Sequence, residues 1–159
     1  EDFRIVNTYS MKMMKTRLEK SGNVMEFETD LSKEKAVPFE VVIFFLRKNL
    51  IDIVQTEDYS FTLFLPLLAL ELEDKGLPRS MSMIRMVAEL KEKINLDTPL
   101  GQMQARKILI FPQSGILRAL LPREKTHFEF TFSADAPHHL LEFEVGETRH
   151  MLTQLVFKE

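Results

Sequence analysis

The sequence predicts an α+β fold built mainly on antiparallel sheet, and three observations support this prediction. Apolar and polar residues alternate in the N-terminal and C-terminal parts of the chain, which is typical of half-buried strands. Short polar connections separate these runs, so we expect hairpins near the N-terminus and a meander near the C-terminus. Segment 80–94 has apolar residues at helical spacing, and segment 38–48 carries helix start and stop signals.

The first strand is predicted over FRIVNTYSMKM, residues 3–13, where the apolar residues fall on one parity. This parity switches at Met13–Met14, which we interpret as a β-bulge. The run KSGN at 20–23 is the predicted turn, because Gly and Asn accept a positive φ at low cost. The following VMEFETDL is then the second strand of a hairpin.

A second hairpin is predicted over LIDIVQTEDYSFTLFLP, residues 50–66. Ile51 and Ile53 alternate with polar residues before a TED turn, and Phe61 and Leu63 do so after it. The run LLALELEDKG continues with alternating leucines and closes at Gly76. We therefore expect strands on both sides of the TED turn and again before Gly76.

A helix is predicted over 80–94, in the run RSMSMIRMVAELKEKI. Ser80 is the expected N-cap, and Met83, Val87, Leu90 and Ile94 recur at helical spacing. A second helix is predicted over 38–48, because Pro38 suits a first helical turn and RKN suits the end of a helix. The β-branched residues Val41, Val42 and Ile43 favour a strand there instead, and the sequence leaves both alternatives open.

The C-terminal part from Gln102 onward is predicted to be all β. Five strand-like runs follow one another at roughly ten-residue spacing. They are MQARKILIF, ILRALL, THFEFTFS, HLLEFEV and HMLTQLVF. Such regular spacing with short connections predicts an antiparallel meander.

The length and composition of the chain predict a single domain over 1–159. The chain is long enough to bury a core without disulfides, and it contains no cysteine. Its net charge of −3 comes from interspersed acids and bases, which predicts no nucleic-acid partner. There is no apolar run near the roughly 20 residues that span a bilayer, so no membrane span is expected. The chain begins without Met or a leader, as expected of a processed mature chain or a trimmed one.

The paired histidines His138 and His139 are the first place to look for chemistry. If HHLLEFEV is a strand, the two side chains point in opposite directions, and only His138 shares a face with Glu142. His127 and His150 begin other strand-like runs, so a three-histidine zinc site is one alternative. The other is that all four are half-exposed polar residues at strand starts.

Nucleotide, hydrolase and metalloprotease motifs are absent from the sequence, so no cofactor is predicted.

Phenylalanine is used heavily, at 13 residues, and nine methionines accompany it. Such residues build a sheet core or an apolar binding surface. The candidate residues for binding a ligand or a partner are Phe61, Phe64, Met83, Val87, Phe128, Phe130 and Phe143.

The function expected from this sequence is a non-catalytic protein–protein interaction or assembly module, which binds another protein or itself. One alternative is a carrier or sensor of an apolar small molecule in a cavity lined by Phe and Met. A second is an enzyme that uses histidine and carboxylate side chains, which requires two or more of His127, His138, His139, His150 and Glu142 to meet.

Overall fold

The computed structural model describes residues 3–10, 12–20, 23–32, 35–66, 68–69, 72, 76–120, 123–145 and 148–152. The fold is α+β, as predicted, with one three-stranded and one seven-stranded sheet. Within the described residues, no helix has the length and apolar character needed to cross a membrane.

The three-stranded sheet is the predicted N-terminal hairpin with one more strand. It contains β1 (Phe3–Tyr9), β2 (Met13–Lys20) and β3 (Asn23–Asp30), paired antiparallel in that order. The bulge predicted at Met13–Met14 is wrong, because the N–H of Ser10 donates to the carbonyl of Met13 at 2.9 Å and closes a turn there. The parity switch therefore marks the start of a new strand.

The seven-stranded sheet contains the C-terminal meander. Its strands are β4 (Val37–Pro38), β5 (Tyr59–Phe64), β6 (Met83–Thr98), β7 (Gly101–Pro112), β8 (Phe128–Ser133), β9 (Leu140–Val145) and β10 (Thr148–Met151). Their spatial order is β10-β9-β8-β7-β6-β5-β4, and β6 to β10 pair antiparallel. The meander is confirmed for β7, β8, β9 and the start of the last run, of which residues 153–157 lie outside the described part.

The helices are short. A 3-10 turn (Phe39–Val41) leads into α1 (Val42–Lys48), and α2 (Leu50–Gln55), a second 3-10 turn (Arg79–Ser82), α3 (Gly115–Leu120) and α4 (Arg123–Thr126) follow. The helical alternative for 38–48 is thus confirmed, apart from the two-residue strand β4 at its start.

Three predicted strands are helical instead. Val42, Leu46, Leu50 and Ile53 are all buried, so α2 continues the helical spacing of α1 where alternation at Ile51 and Ile53 predicted a strand. Residues 116–120 of the run ILRALL lie in α3, because the Ser114 hydroxyl accepts the N–H of Leu117 at 3.4 Å and starts a helix, and Leu121 lies outside the described residues. The described residues of 66–72 are also helical, where alternating leucines predicted a strand.

The helix predicted over 80–94 is wrong, because this segment forms most of β6. Buried Ile84, Met86 and Ala88 alternate along the strand, and the register then shifts at a bulge between Leu90 and Glu92. The shift places the next apolar residue, Ile94, on the opposite face of the strand from these three, although all four positions are even. Met83 and Val87 share that second face, whereas Leu90 lies on the first, so apolar residues on both faces of one strand imitate the spacing of a helix.

The chain divides into two compact units, Glu1–Phe39 with Thr62–Ile84 and Glu40–Phe61 with Arg85–Glu159. The first unit has a core of Met14, Ala36, Phe64 and Ala69, against which Leu31 and Met83 pack. Among the described residues of the second unit, the large apolar side chains without solvent exposure are Leu46, Leu50, Ile53, Met86, Ile108, Ile110, Phe130, Phe132 and Leu141. That residues 1–159 form a single domain stays a prediction.

Candidate interaction surface

The hairpin of β6 and β7 is much longer than the strands beside it. The two strands have 16 and 12 residues, whereas β8 has six and pairs with β7 only from Ala105 to Ile110. We call residues 93–104 of this hairpin the arm. Pro99 and Leu100 form its turn, and Gly101 closes the turn with a φ of 104°, which side chains rarely allow.

On its other side, β6 is covered only near its start. The N–H of Leu65, just after β5, donates to the carbonyl of Ser82 at 3.1 Å. The Arg85 guanidinium donates to the Ser60 hydroxyl at 2.9 Å, so β5 runs antiparallel to β6. Because β5 begins at Tyr59, this register reaches about as far as Ala88. Among the described strands, the arm therefore has no neighbour on the β5 side.

The arm has one polar and one apolar face. On the polar face, Lys93 lies opposite Arg106, Asn95 opposite Gln104 and Asp97 opposite Gln102. On the apolar face, Ile94 lies opposite Ala105 and Leu96 opposite Met103. Ile94, Leu96 and Met103 are only half-buried, and Leu100 at the tip is 44% exposed. The arm thus keeps large apolar side chains in partial contact with water.

A network of charges lies at the base of the arm. The Nζ of Lys91, the bulge residue, is 2.6 Å from Oε1 of Glu129, and the Nζ of Lys107 is 3.4 Å from Oε2 of the same carboxylate. Burial opposes ionisation of Glu129, but these two lysines outweigh it and hold the pKa of Glu129 below its ordinary value. The hydrogen bond to Glu129 in turn raises the pKa of Lys91. These contacts tie the bulge at the base of the arm to Glu129 on β8.

A second part of the network joins β9 to β10. The Glu142 side chain is 2% exposed, and its Oε2 accepts a hydrogen bond from Nη2 of Arg149 at 2.5 Å. Burial opposes ionisation of Glu142, but hydrogen bonds from Arg149 and Glu144 outweigh it, so the pKa of Glu142 is lowered. The hydrogen bond to Glu142, together with burial, raises the pKa of Glu144. The two glutamates thus share one face of β9, as the alternation predicts, and Glu144 retains its proton to higher pH.

An open groove of about 350 Å³ lies beside the base of the arm. Its lining residues are Lys93, Ile94, Asn95, Gln104, Ala105, Arg106 and Ala134. This lining is mixed polar and apolar, and it includes none of the seven residues that the sequence singles out for binding.

Those seven residues lie in the cores of the two units. In the first unit, Phe64 is buried and Met83 packs against the same cluster. In the second, Phe61, Val87, Phe128 and Phe130 are buried and Phe143 is half-buried. The structure brings Phe130 and Phe143 together, with ring centroids 4.7 Å apart. That any of the seven contacts a partner or an apolar ligand stays a prediction.

The histidines occupy three different settings. His138 and His139 precede β9 in a loop, where the Ser133 carbonyl lies 3.2 Å from Nδ1 of His138 and the Ser133 hydroxyl accepts the N–H of His139 at 2.8 Å. Because His138 has a φ of 57° and β9 begins at Leu140, the strand alternation predicted for the pair does not apply. His150 stacks on Phe143 and His127 on Phe111. Within the described residues, no three His, Asp or Glu side chains form a group that suits a metal ion.

No family model matches the chain, and no curated protein or solved structure matches it. Its function must therefore be inferred from its own residues. The arm is the feature that sequence reasoning missed. The available signal was KINLDTPLGQMQA, in which apolar residues alternate on both sides of a Pro-Leu-Gly turn.

Proposed function

We propose that the chain is a non-catalytic protein-interaction module and that the arm is its binding element. The observation that carries the proposal is that two strands of the arm extend beyond their neighbours with an apolar face. Ile94, Leu96 and Met103 form that face, and Leu100 extends it to the tip.

The energetics of a two-stranded ribbon support this proposal. Such a ribbon is marginally stable in water, because two strands bury little apolar surface between them. A partner that covers the half-buried side chains of the apolar face removes their remaining surface from water, at about 25 cal/mol per Å². The arm gains stability from a partner in a way that the sheet core does not.

The groove beside the arm does not have the lining expected of a carrier of apolar molecules. Charged Lys93 and Arg106 line it together with Asn95 and Gln104. Sites for apolar ligands are instead lined mainly by hydrophobic and aromatic side chains. The carrier and the histidine enzyme both stay alternative predictions.

Site-specific photo-crosslinking tests the proposal in the cells that make the protein. The crosslinking amino acid p-benzoylphenylalanine replaces Leu96 in the arm, and the matched control replaces Arg17, an exposed strand residue of the three-stranded sheet. We expect discrete crosslinked products from position 96 and none from position 17, detected on denaturing gels and identified by mass spectrometry. The absence of products at position 96, or equal products at both positions, contradicts the proposal.

A further inference from the structure

The edge of β6 over residues 91–98 carries backbone groups that no described strand pairs on the β5 side. Alternate residues of a strand direct their N–H and C=O groups to each side, so about half of these groups face outward. Exposed edges are usually protected by proline, a bulge or inward charges. Here the bulge at Lys91 and Pro99 lie at the two ends, and the run between them contains neither Pro nor Gly. The run also carries the charged Glu92, Lys93 and Asp97, so its unpaired backbone groups suit only a strand whose charges match them.

We propose that this edge pairs antiparallel with the same edge of a second copy of this chain, around a two-fold axis at Asn95. The proposal rests on the proposed function and names the partner of the arm. A two-fold axis perpendicular to a sheet pairs residues of equal parity. One residue is therefore paired with its own copy, and the axis lies between these two residues. At Asn95, it places Ile94 opposite Leu96 and Lys93 opposite Asp97, each twice.

Charge complementarity is the reason for this partner. Within one chain, Lys93 lies directly opposite Arg106, and like charges in this position repel each other. Asp97 lies opposite the neutral Gln102, whose amide Nε2 is 3.4 Å from its carboxylate. The polar face is thus basic near the sheet and acidic near the tip. The two-fold axis brings the acidic end of each copy to the basic end of the other.

Neighbouring registers fit less well. An axis at Ile94 places Asp97 opposite Lys91, which is already paired with Glu129, and sets Glu92 against the apolar Leu96. An axis at Leu96 sets Lys93 against Pro99 and Asp97 against the neutral Asn95, so neither charge meets an opposite one. Of these three registers, only the axis at Asn95 sets Ile94 opposite Leu96 on one face and Lys93 opposite Asp97 on the other.

Charge reversal at two positions tests this pairing by sedimentation equilibrium over a wide range of protein concentration. We expect the unmodified protein to form a dimer. Lys93→Asp and Asp97→Lys should each raise the dimer dissociation constant about tenfold, because each sets like charges against each other twice. The double variant Lys93→Asp/Asp97→Lys should return the constant to its original value. Circular dichroism of each variant verifies that it is folded.

Lys48→Asp with Asp52→Lys is the matched control, since both residues are exposed on α1 and α2 and should leave the constant unchanged. A monomer at every concentration overturns the pairing, and so does a double variant that fails to recover. Another outcome is that charge reversal leaves the dimer dissociation constant unchanged while Leu96→Ser abolishes the dimer. In that outcome the arm still binds protein, and only the proposed edge pairing is wrong. A monomer that still gives crosslinks from position 96 also separates the two proposals, because the partner is then a different protein.

Discussion

The guanidinium of Arg149 on the edge strand β10 holds the buried carboxylate of Glu142 on β9, with 2.5 Å between Nη2 and Oε2. The Arg149 side chain is 55% exposed, whereas that of Glu142 is 2% exposed. A buried carboxylate is tolerated only when it is paired and hydrogen-bonded. This ion pair therefore joins the edge strand to the sheet and keeps Glu142 ionised.

Replacing Arg149 should destabilise the protein more than replacing another arginine in a surface ion pair. Arg149→Met leaves Glu142 buried without its cation, which should lower the free energy of unfolding by about 1–3 kcal/mol. A fully buried ion pair would contribute more, because water screens the charge of the exposed Arg149. Urea denaturation measures this change.

Arg17→Met is the control for this prediction, because Arg17 pairs with Glu19 and Glu26 on an exposed face. Such surface pairs contribute about 0–1 kcal/mol. Equal losses in the two variants would show that burial of Glu142 plays no part in stability.

The Glu142–Glu144 pair predicts a pH dependence with opposite signs for its two members. The lowered pKa of Glu142 gives stability that is present above the ordinary glutamate pKa and is lost as pH falls through the folded pKa. The raised pKa of Glu144 gives stability that is present below the ordinary value and is lost as pH rises through its folded pKa.

Glu144→Gln should remove the second effect, because the glutamine amide donates to Glu142 at every pH. We expect the variant to gain stability relative to the unmodified protein as pH rises from acid towards neutral. Chemical denaturation at a series of pH values measures this difference. A constant difference would mean that the two glutamates do not share a proton.

The sequence predicts most strands of the two sheets but not the longest strand, β6. Alternation predicts that the segments of β1, β2, β8 and β9 are strands. The turn between β1 and β2 and the register shift between β8 and β9 at Thr131 and Phe132 do not follow from it. In β6 apolar residues occupy both faces before the bulge at Lys91, and the bulge then exchanges the two faces, so positions 83, 87, 90 and 94 match a helix. Sequence reasoning cannot place a bulge that depends on a partner strand and on Glu129, which lies 38 residues away.

The candidate site was missed for a related reason. Sequence reasoning selects the most apolar residues, such as Phe130 and Phe128, and these are the residues that a core buries first. The arm residues Ile94, Leu96 and Met103 are ordinary in composition. They stand out only because β5 and β8 are short, which is a property of the assembled sheet.

Burial also predicts how two identical substitutions should differ. Phe130 has no solvent exposure and stacks on Phe143. Phe130→Ala should therefore lower the free energy of unfolding by about 3–5 kcal/mol, through lost contacts and the cavity that remains. Phe44 on α1 is 62% exposed, so Phe44→Ala should change it by about 0.5 kcal/mol or less. Similar losses in thermal or urea unfolding would contradict the core assignment of Phe130.

His127 offers a test of the electrostatics around α4. Its ring stacks on Phe111 at 6.1 Å, and Arg118 lies over the same Phe111 ring at 5.3 Å. Burial lowers the pKa of His127, and the positive charges of Arg123 and Arg118 lower it further. The neutral imidazole is thus favoured in the folded protein, and this contribution to stability is lost as pH falls through the folded pKa.

Removing either positive charge should raise the pKa of His127, because the imidazolium then meets less repulsion. We expect Arg123→Gln to give the larger rise and Arg118→Gln the smaller one, in the order of their effects on the ring. An NMR titration of the His127 ring proton measures both pKa values. Arg47→Gln, which removes an exposed arginine stacked on Phe44, should leave the titration unchanged. If all three variants titrate like the unmodified protein, burial alone sets the pKa of His127 and the two arginines point away from it.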